Sequence, residues 1–476
     1  MKRGWIFIAF LLAQCKGQSQ ANQQVSIDSV RQLMVTAFNA KNVDQLYALG
    51  GEAFHKELSL DNFRQVCQAN LFPLGPIKEC KLERYRDGMA KYKASFDAVN
   101  LTLLLSLDGQ NKMQTFLFQQ YQAERPPKKE PIPSNNKMVS ALDSMVEQFA
   151  HDYISQASTV GISIGVLKGD RIYYYGYGET ERDNGKLPDE NSIYEIGSIS
   201  KTFTAILLAN AVNQGKVKLS DPANMYLPDS ARKLSYDNVP ITLQNLSNHS
   251  SGIPRMPDNM NALIDPPTNP YVNYDDKRLF SFYANFKPTR KAGDQYEYSN
   301  LAVGTLGVIL ERVNQQPYEK LLVEKICDPL GMNDTREFIK PLDSSRVAKG
   351  YNENGAYNGP WDFKSFAAAG GIRSTAKDML KYAAANLGRA PTALKKDILL
   401  THTVTYTQGT NKVALGWHYI KPGQDEILFH NGGTGGYRTY LGINLQKQFA
   451  VVVLSNCGIS VDGLGNQLMK ALESKP

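Results

Sequence analysis

The stretch Tyr194-Glu195-Ile196-Gly197-Ser198-Ile199-Ser200-Lys201-Thr202-Phe203 decides how this chain is read. Gly197 marks a tight turn that opens a helix, which the apolar run from Thr204 to Val212 continues. Ser198 then falls in the first helical turn, with Lys201 three residues on across the same face. A serine hydroxyl needs a nearby base to become a nucleophile, and a desolvated, neutral amine can serve. Keeping a lysine neutral near pH 7 means lowering its pKa by roughly three units, about 4 kcal/mol. Burial and a positive helix N-terminus both push that way.

Spacing alone decides nothing. Ser-x-x-Lys occurs at Ser134/Lys137, Ser198/Lys201, Ser230/Lys233 and Ser374/Lys377. Ser134 lies in a Pro-rich run, and Ser230 follows Pro228 in a polar one. Ser374 and Thr375 read as caps for a helix at Asp378-Met379-Leu380. Only Ser198 is preceded by Gly and followed by a long apolar helix.

The chain has 476 residues, enough for two or three domains, and is 42% apolar and 21% charged. A net charge of +7 with no long basic block argues against nucleic acid as a partner. Lys2 and Arg3 precede the apolar run Trp5 to Ala13, the layout of an export signal over residues 1–20. That run is too short to span a bilayer comfortably. Leu12-Ala13-Gln14-Cys15 resembles a bacterial lipoprotein cleavage box, although Gln14 stands where a small residue is usual. Membrane anchoring through a lipid on Cys15 and ordinary cleavage between Cys15 and Gln20 both stay open. The protein is expected to be exported either way: periplasmic, secreted or lipid-anchored. Among Cys67, Cys80, Cys327 and Cys457, only Cys67 and Cys80 are close in sequence, as a disulfide pair would be. No Cys-x-x-Cys occurs and the six His are scattered, so neither a metal nor a cofactor is expected.

Residues 24–122 read as a small α+β domain. Ile27, Val30, Met34 and Phe38 recur at helical spacing after a cap at Ser26. Further helices are expected over Val43–Leu49 and Leu60–Asn70. Leu101, Leu103, Leu105 and Leu107 then alternate, Asp108-Gly109 turns, and Met113–Tyr121 returns as a strand. This layout is similar to the cone-shaped folds of ketosteroid-isomerase-like and nuclear-transport-factor-like proteins; no motif is shared and no catalytic constellation shows. Residues 123–137, rich in Pro and charge, read as a semi-stiff linker.

Residues 138–476 begin with an amphipathic helix bearing Leu142, Met145, Val146 and Phe149. The strands Gly161–Leu167 and Arg171–Gly176 follow, then a helical, loop-rich middle from Ser192 to about Leu399. Strands are expected again at Val413–Ile420, Ile427–His430, Thr439–Asn444 and Phe449–Ser455, with a last helix at Gly463–Glu473. Strands from both ends can form one antiparallel sheet, with the helical middle inserted between them.

Two further stretches bear chemistry. Tyr298-Ser299-Asn300 puts a phenol and an amide directly before the helix Leu301–Val313. Tyr298 can act as a second base or proton relay if a lysine ammonium depresses its pKa. Asn300 can bond both that lysine and a substrate carbonyl; the same residues also suit a turn with an Asn cap. His430-Asn431-Gly432-Gly433-Thr434-Gly435-Gly436 follows a strand. Its glycines admit a reacting carbonyl, and the Gly433 N–H can complete an oxyanion hole with that of Ser198. His430 supplies a donor or a titrating positive charge, although a Gly-rich hairpin with an incidental His reads equally well. His249–Pro254 and Gly370–Thr375 read as turns bordering a site, with His249 a packed loop histidine.

Together, Ser198-Ile199-Ser200-Lys201, Tyr298-Ser299-Asn300 and His430-Asn431-Gly432 resemble the three ordered motifs of penicillin-recognising serine hydrolases. The Tyr-x-Asn second motif points to the class C β-lactamase branch, which includes D-alanyl-D-alanine carboxypeptidases and esterases. Leu246–Pro254 and Ala369–Thr375 look like that branch too, and the resemblance covers about residues 140 to 470. It implies an α+β fold: an antiparallel sheet flanked by helices plus an all-helical lobe, with the active site between. It also implies that Ser198 is acylated, Lys201 is the base and Tyr298 relays protons. Asn300 would position substrate, and His430 with Gly432 and Gly433 would line the oxyanion strand. A β-lactamase of this branch usually has Lys-Thr-Gly where this chain has His430-Asn431-Gly432. That departure favours a peptidase or esterase acting on a small-molecule or peptide substrate, cell-wall-derived ones included. The alternative is a binding or sensor protein that keeps the fold without the turnover.

Overall fold

Strand Phe449–Ser455 is buried along its whole length, and its alternate residues serve two different cores. Phe449, Val451 and Val453 pack with Met145 and Val146 of helix Ala141–Ile154 and with Leu468 of helix Asp462–Ser474. Ala450, Val452 and Leu454 face a larger cluster containing Phe203, Ile206 and Leu380. Side chains of a strand alternate between faces, so an unbroken apolar run means that both faces are covered.

The computed structural model describes residues 20–474, apart from 87, 122–127, 129, 232–233 and 261–264. The export-signal reading and Cys15 therefore lie outside the described residues. Phe449–Ser455 belongs to an eight-stranded antiparallel sheet. Its order is Tyr406–Gln408, Asn411–Val413, His418–Ile420, Ile427–Gly433, Arg438–Asn444, Phe449–Ser455, Gly161–Lys168 and Arg171–Gly178. The last strand in sequence thus pairs with the first of this unit, Val452 opposite Gly165. Helices from the long insertion cover the second face, among them Ser200–Asn213, Asn300–Asn314 and Ala376–Asn386.

Three expectations change here. Val413–Ile420 is two strands, because Ala414–Trp417 closes a turn (Ala414 N–H to Trp417 O, 2.9 Å) in which Gly416 has φ 67°. A Cβ on Gly416 would sit 2.6 Å from the carbonyl oxygen of Lys201, so only glycine lets this turn approach the Ser198 helix. The end of the Pro-rich stretch is not spacer. Pro133 O, Asn135 Oδ1 and Asn136 Nδ2 bond the Gly178 N–H, the Gly176 N–H and the Tyr177 hydroxyl, continuing the sheet edge. Finally, Cys67, Cys80, Cys327 and Cys457 are all free thiols.

The chain divides into two compact units at Glu124/Arg125. In the first, helices Gln20–Asn39, Val43–Ala48, Glu52–Glu57 and Leu60–Val66 precede a four-stranded antiparallel sheet. That sheet comprises Glu79–Arg86, Met89–Ser95, Asn100–Leu107 and Met113–Gln120 in sequential order. Ile27, Met34 and Phe38 pack with Tyr92, Leu103 and Leu105. Ser26 lies inside the first helix rather than at its start. The strands Glu79–Arg86 and Met89–Ser95 escape a hydropathy reading because Lys, Arg and Glu fill many of their positions.

Candidate active site

Gly197–Ile199 forms one 3-10 turn that runs into helix Ser200–Asn213. Gly197 has φ 52°, and a Cβ there would stand 2.6 Å from the amide nitrogen of Gly433. Glycine is what lets the serine turn lie flat against strand Ile427–Gly433. Beneath it, Ile196 N–H bonds Ile372 O (3.0 Å), Ile372 N–H bonds Ser200 Oγ (3.1 Å), and Thr439 Oγ1 bonds Ile196 O (2.8 Å). A buried pair, Arg373 with Glu195 (3.2 Å), braces the same segment.

Ser198 Oγ is half-buried and lies 3.0 Å from Lys201 Nζ and 2.7 Å from the Tyr298 hydroxyl. Lys201 is fully buried among apolar neighbours of its helix. Its Nζ is 2.9 Å from Asn300 Oδ1 and 2.6 Å from the carbonyl oxygen of Ala369. Burial first, and the nearby Arg255 guanidinium second, hold its amine well below the usual lysine range. In its neutral form this amine has two N–H donors and one lone pair, and with Asn300 and Ala369 taking the donors the lone pair would face the Ser198 hydroxyl. Tyr298 is pushed up to about 12, chiefly by burial, so it is a phenol that donates to Ser198 Oγ. This reverses the expectation of a depressed tyrosine: burial outweighs the Ser198 hydrogen bond and the Arg255 charge that favour a phenolate.

Asn300 starts helix Asn300–Asn314, with Ser299 as its N-cap (Ala302 N–H to Ser299 Oγ, 2.9 Å). The cap is therefore Ser299, which leaves the Asn300 side chain to reach Lys201, and its Nδ2 donates to the Tyr271 hydroxyl at 3.3 Å. His430 is buried on its strand with Nδ1 2.6 Å from Asn431 O, and Nε2 has no partner among the described residues. Burial first, then the positive charges His418 and Lys201 can carry, hold it well below the usual histidine range, so it offers no charge near neutral pH. Gly432 is buried against Ile196, and Gly433 is exposed at the strand's end beside Gly197.

Two of these features were invisible to motif reading. His249, His418 and His430 gather beside the site, with ring centres 6.2 and 5.3 Å apart in succession. His418 is lowered to about 4 by burial and Lys201, and the His249 ring lies tilted with its centre 4.4 Å from that of Tyr298. Among the described residues no group of His, Cys, Asp or Glu has metal-holding geometry. The second feature is the backbone of Ala369, which contributes a carbonyl and thus leaves no side-chain signature.

A family model described as Beta-lactamase matches residues 142–471. The chain belongs to that family. It is a serine hydrolase, α+β in fold. A β-lactamase of Pseudomonas fluorescens is 29% identical over 348 residues, covering 66% of this chain and 92% of the relative. The D-alanyl-D-alanine-carboxypeptidase/endopeptidase AmpH of Escherichia coli (strain K12) is 29% identical over 355 residues, 70% of this chain and 90% of its own. Among solved structures, a β-lactamase/D-alanine carboxypeptidase from Yersinia pestis superposes with TM-score 0.60 at 26% identity, over 70% and 97% of the two chains. A class C β-lactamase shares the fold at TM-score 0.64 and 23% identity, over 72% and 99%. The family match begins at residue 142, so the α+β unit before Glu124 falls outside this β-lactamase-family region.

Proposed function

We propose that this chain cleaves an amide, peptide or ester bond through an acyl-enzyme on Ser198. The observation that carries the reading is the pair of contacts on Ser198 Oγ, a buried amine at 3.0 Å and a phenol at 2.7 Å. As Oγ attacks the substrate carbonyl, its proton moves to Lys201. The oxyanion develops against the N–H groups of Ser198 and Gly433. Tyr298 then protonates the leaving group as its bond to the carbonyl carbon breaks, and the Lys201 ammonium restores the tyrosine proton. Water repeats the sequence on the ester and frees Ser198. Asn300 holds both Lys201 and the substrate carbonyl side, while neutral His430 with Gly432 and Gly433 lines the strand.

The substrate is a small molecule or peptide, with cell-wall-derived peptides in range, given relatives named as carboxypeptidase and β-lactamase. Peptidase or esterase action ranks above efficient β-lactam hydrolysis because His430 offers no fixed positive charge. The N-terminal signal argues for export to the periplasm, the medium or a lipid-anchored position on Cys15. Residues 24–122 then form a separate domain, and the linker to the hydrolase ends before Pro133–Asn136, which border the hydrolase sheet.

Intact-mass analysis after exposure to a fluorophosphonate and to a β-lactam tests this reading, with Ser198→Ala as control. One adduct on the native chain and none on the variant is the expected result. An adduct that persists in Ser198→Ala refutes it, and fluorophosphonate labelling without β-lactam labelling favours peptidase or esterase action.

A further inference from the structure

Burial holds Lys201 and the three histidines below their ordinary ranges, so the site beside Ser198 is poorer in positive charge than its sequence suggests. One guanidinium there, that of Arg438 beside Gly433, is spent on the carbonyls of Thr434 and Tyr437; another is not. Arg255 lies on the loop after His249–Pro254, exposed, with its Cζ 5.1 Å from the centre of the Tyr298 ring. Lys201 Nζ is 4.9 Å from the same centre. The loop is not loosely placed. Ser299 Oγ donates to Pro254 O at 2.7 Å, Leu301 N–H donates to Arg255 O at 3.2 Å, and Asn300 Nδ2 lies 3.9 Å from Met256 Sδ. Three successive loop residues are thus fastened to the three residues that carry Asn300 into the site. The base of Arg255 is fixed while its head group is left over.

That head group has no hydrogen-bond or ion-pair partner among the described residues, although other arginines nearby do. Arg290 pairs with Glu297 at 2.5 Å, and Arg278 pairs with Asp265 at 2.6 Å. An arginine whose backbone is pinned at a catalytic mouth and whose planar fork is unspent is suited to a carboxylate or similar oxyanion, which it can grip with two N–H donors.

We infer that Arg255 recognises a carboxylate on the substrate, so that this hydrolase prefers acyl groups or leaving groups carrying a negative charge near the scissile bond. The inference rests on Ser198 being the acylated residue and names the substrate class of that site. Arg255 acts here as a specificity-determining residue; it moves no proton.

Two matched ester pairs test it. Mono-p-nitrophenyl glutarate against p-nitrophenyl butyrate puts the charge on the acyl side. 4-Acetoxybenzoate against methyl 4-acetoxybenzoate puts it on the leaving group. The native protein is expected to favour the charged member of at least one pair by about tenfold in kcat/KM, mostly through KM. Arg255→Gln should erase that ratio, Arg255→Lys should keep part of it, and 0.5 M NaCl should shrink it in the native protein. Whichever pair responds identifies the side that Arg255 faces. Equal handling of both members by the native protein, or a ratio that survives Arg255→Gln, overturns the inference. Fluorophosphonate labelling of Ser198, run alongside, separates the two ideas. Labelling with an unresponsive ratio removes Arg255 alone, and absence of Ser198 labelling removes both.

Discussion

Ser198/Lys201 and Ser374/Lys377 have the same spacing and lie almost side by side. Strand Arg373–Thr375 pairs with Ile193–Glu195, Ser374 opposite Tyr194. In the first pair a helical turn stacks the two side chains, the amine is buried, and the heteroatoms meet at 3.0 Å. In the second, the serine sits mid-strand and bonds Thr335 Oγ1 at 2.8 Å, while Lys377 lies in the first turn of a helix and is exposed. Thr375 caps that helix through the Asp378 N–H (3.2 Å), the role its sequence suggested. Chemistry follows from what surrounds a spacing. The Ser198 turn has glycines on facing strands that permit contact, whereas Ser374 is spent on holding the bed beneath it.

Exchanging residues between the two pairs sharpens the contrast. Ser198→Ala should lower turnover by on the order of 10⁴-fold or more and abolish fluorophosphonate labelling. Lys201→Met should cost about 10³-fold in kcat. In the native protein kcat/KM should rise with pH through a value below the ordinary lysine range, since the neutral amine is the active form. The linkage sign agrees. Lys201 is depressed on folding, so the unfolded chain binds more protons between the folded and unfolded pKa values. Stability should therefore rise with pH across that window, and a urea-melt series on Lys201→Met should lack the rise. Tyr298→Phe should cost about 10²-fold in kcat, read on an amide or alkyl ester whose leaving group needs a proton to depart. Ser374→Ala should leave labelling of Ser198 intact and cost about 1 kcal/mol of stability through the lost hydrogen bond. Lys377→Met should change stability by less than about 0.5 kcal/mol, and a larger loss would mean that the second pair is not inert.

Much of this was legible in the residues. The strand Phe449–Ser455 and helices such as Asn300–Asn314 announce themselves through apolar period, and Gly197, Tyr298 and His430 through ordered motifs. What stayed hidden has physical causes. A carbonyl such as Ala369 O bears no side-chain signal, and the charge states of Tyr298 and His430 depend on burial that only packing defines. Arg255 sits in a loop without period, where one cation looks like any other until its neighbours are known to be paired. Pro133–Asn136 misled in the other direction, because prolines and polar residues can border a sheet edge as readily as leave it.

The pairing of Phe449–Ser455 with Gly161–Lys168 sets an order of events during synthesis. Chains grow from the N-terminus, and an interior strand that arrives last leaves the earlier ones with an open edge until it emerges. Nearly 300 residues separate the two partners, so most of the helical insertion must wait for its floor. A chain released before Phe449 would contain Ser198, Lys201 and Tyr298 on a sheet split in two, with Tyr406–Asn444 on one side and Gly161–Gly178 on the other and no strand to join them.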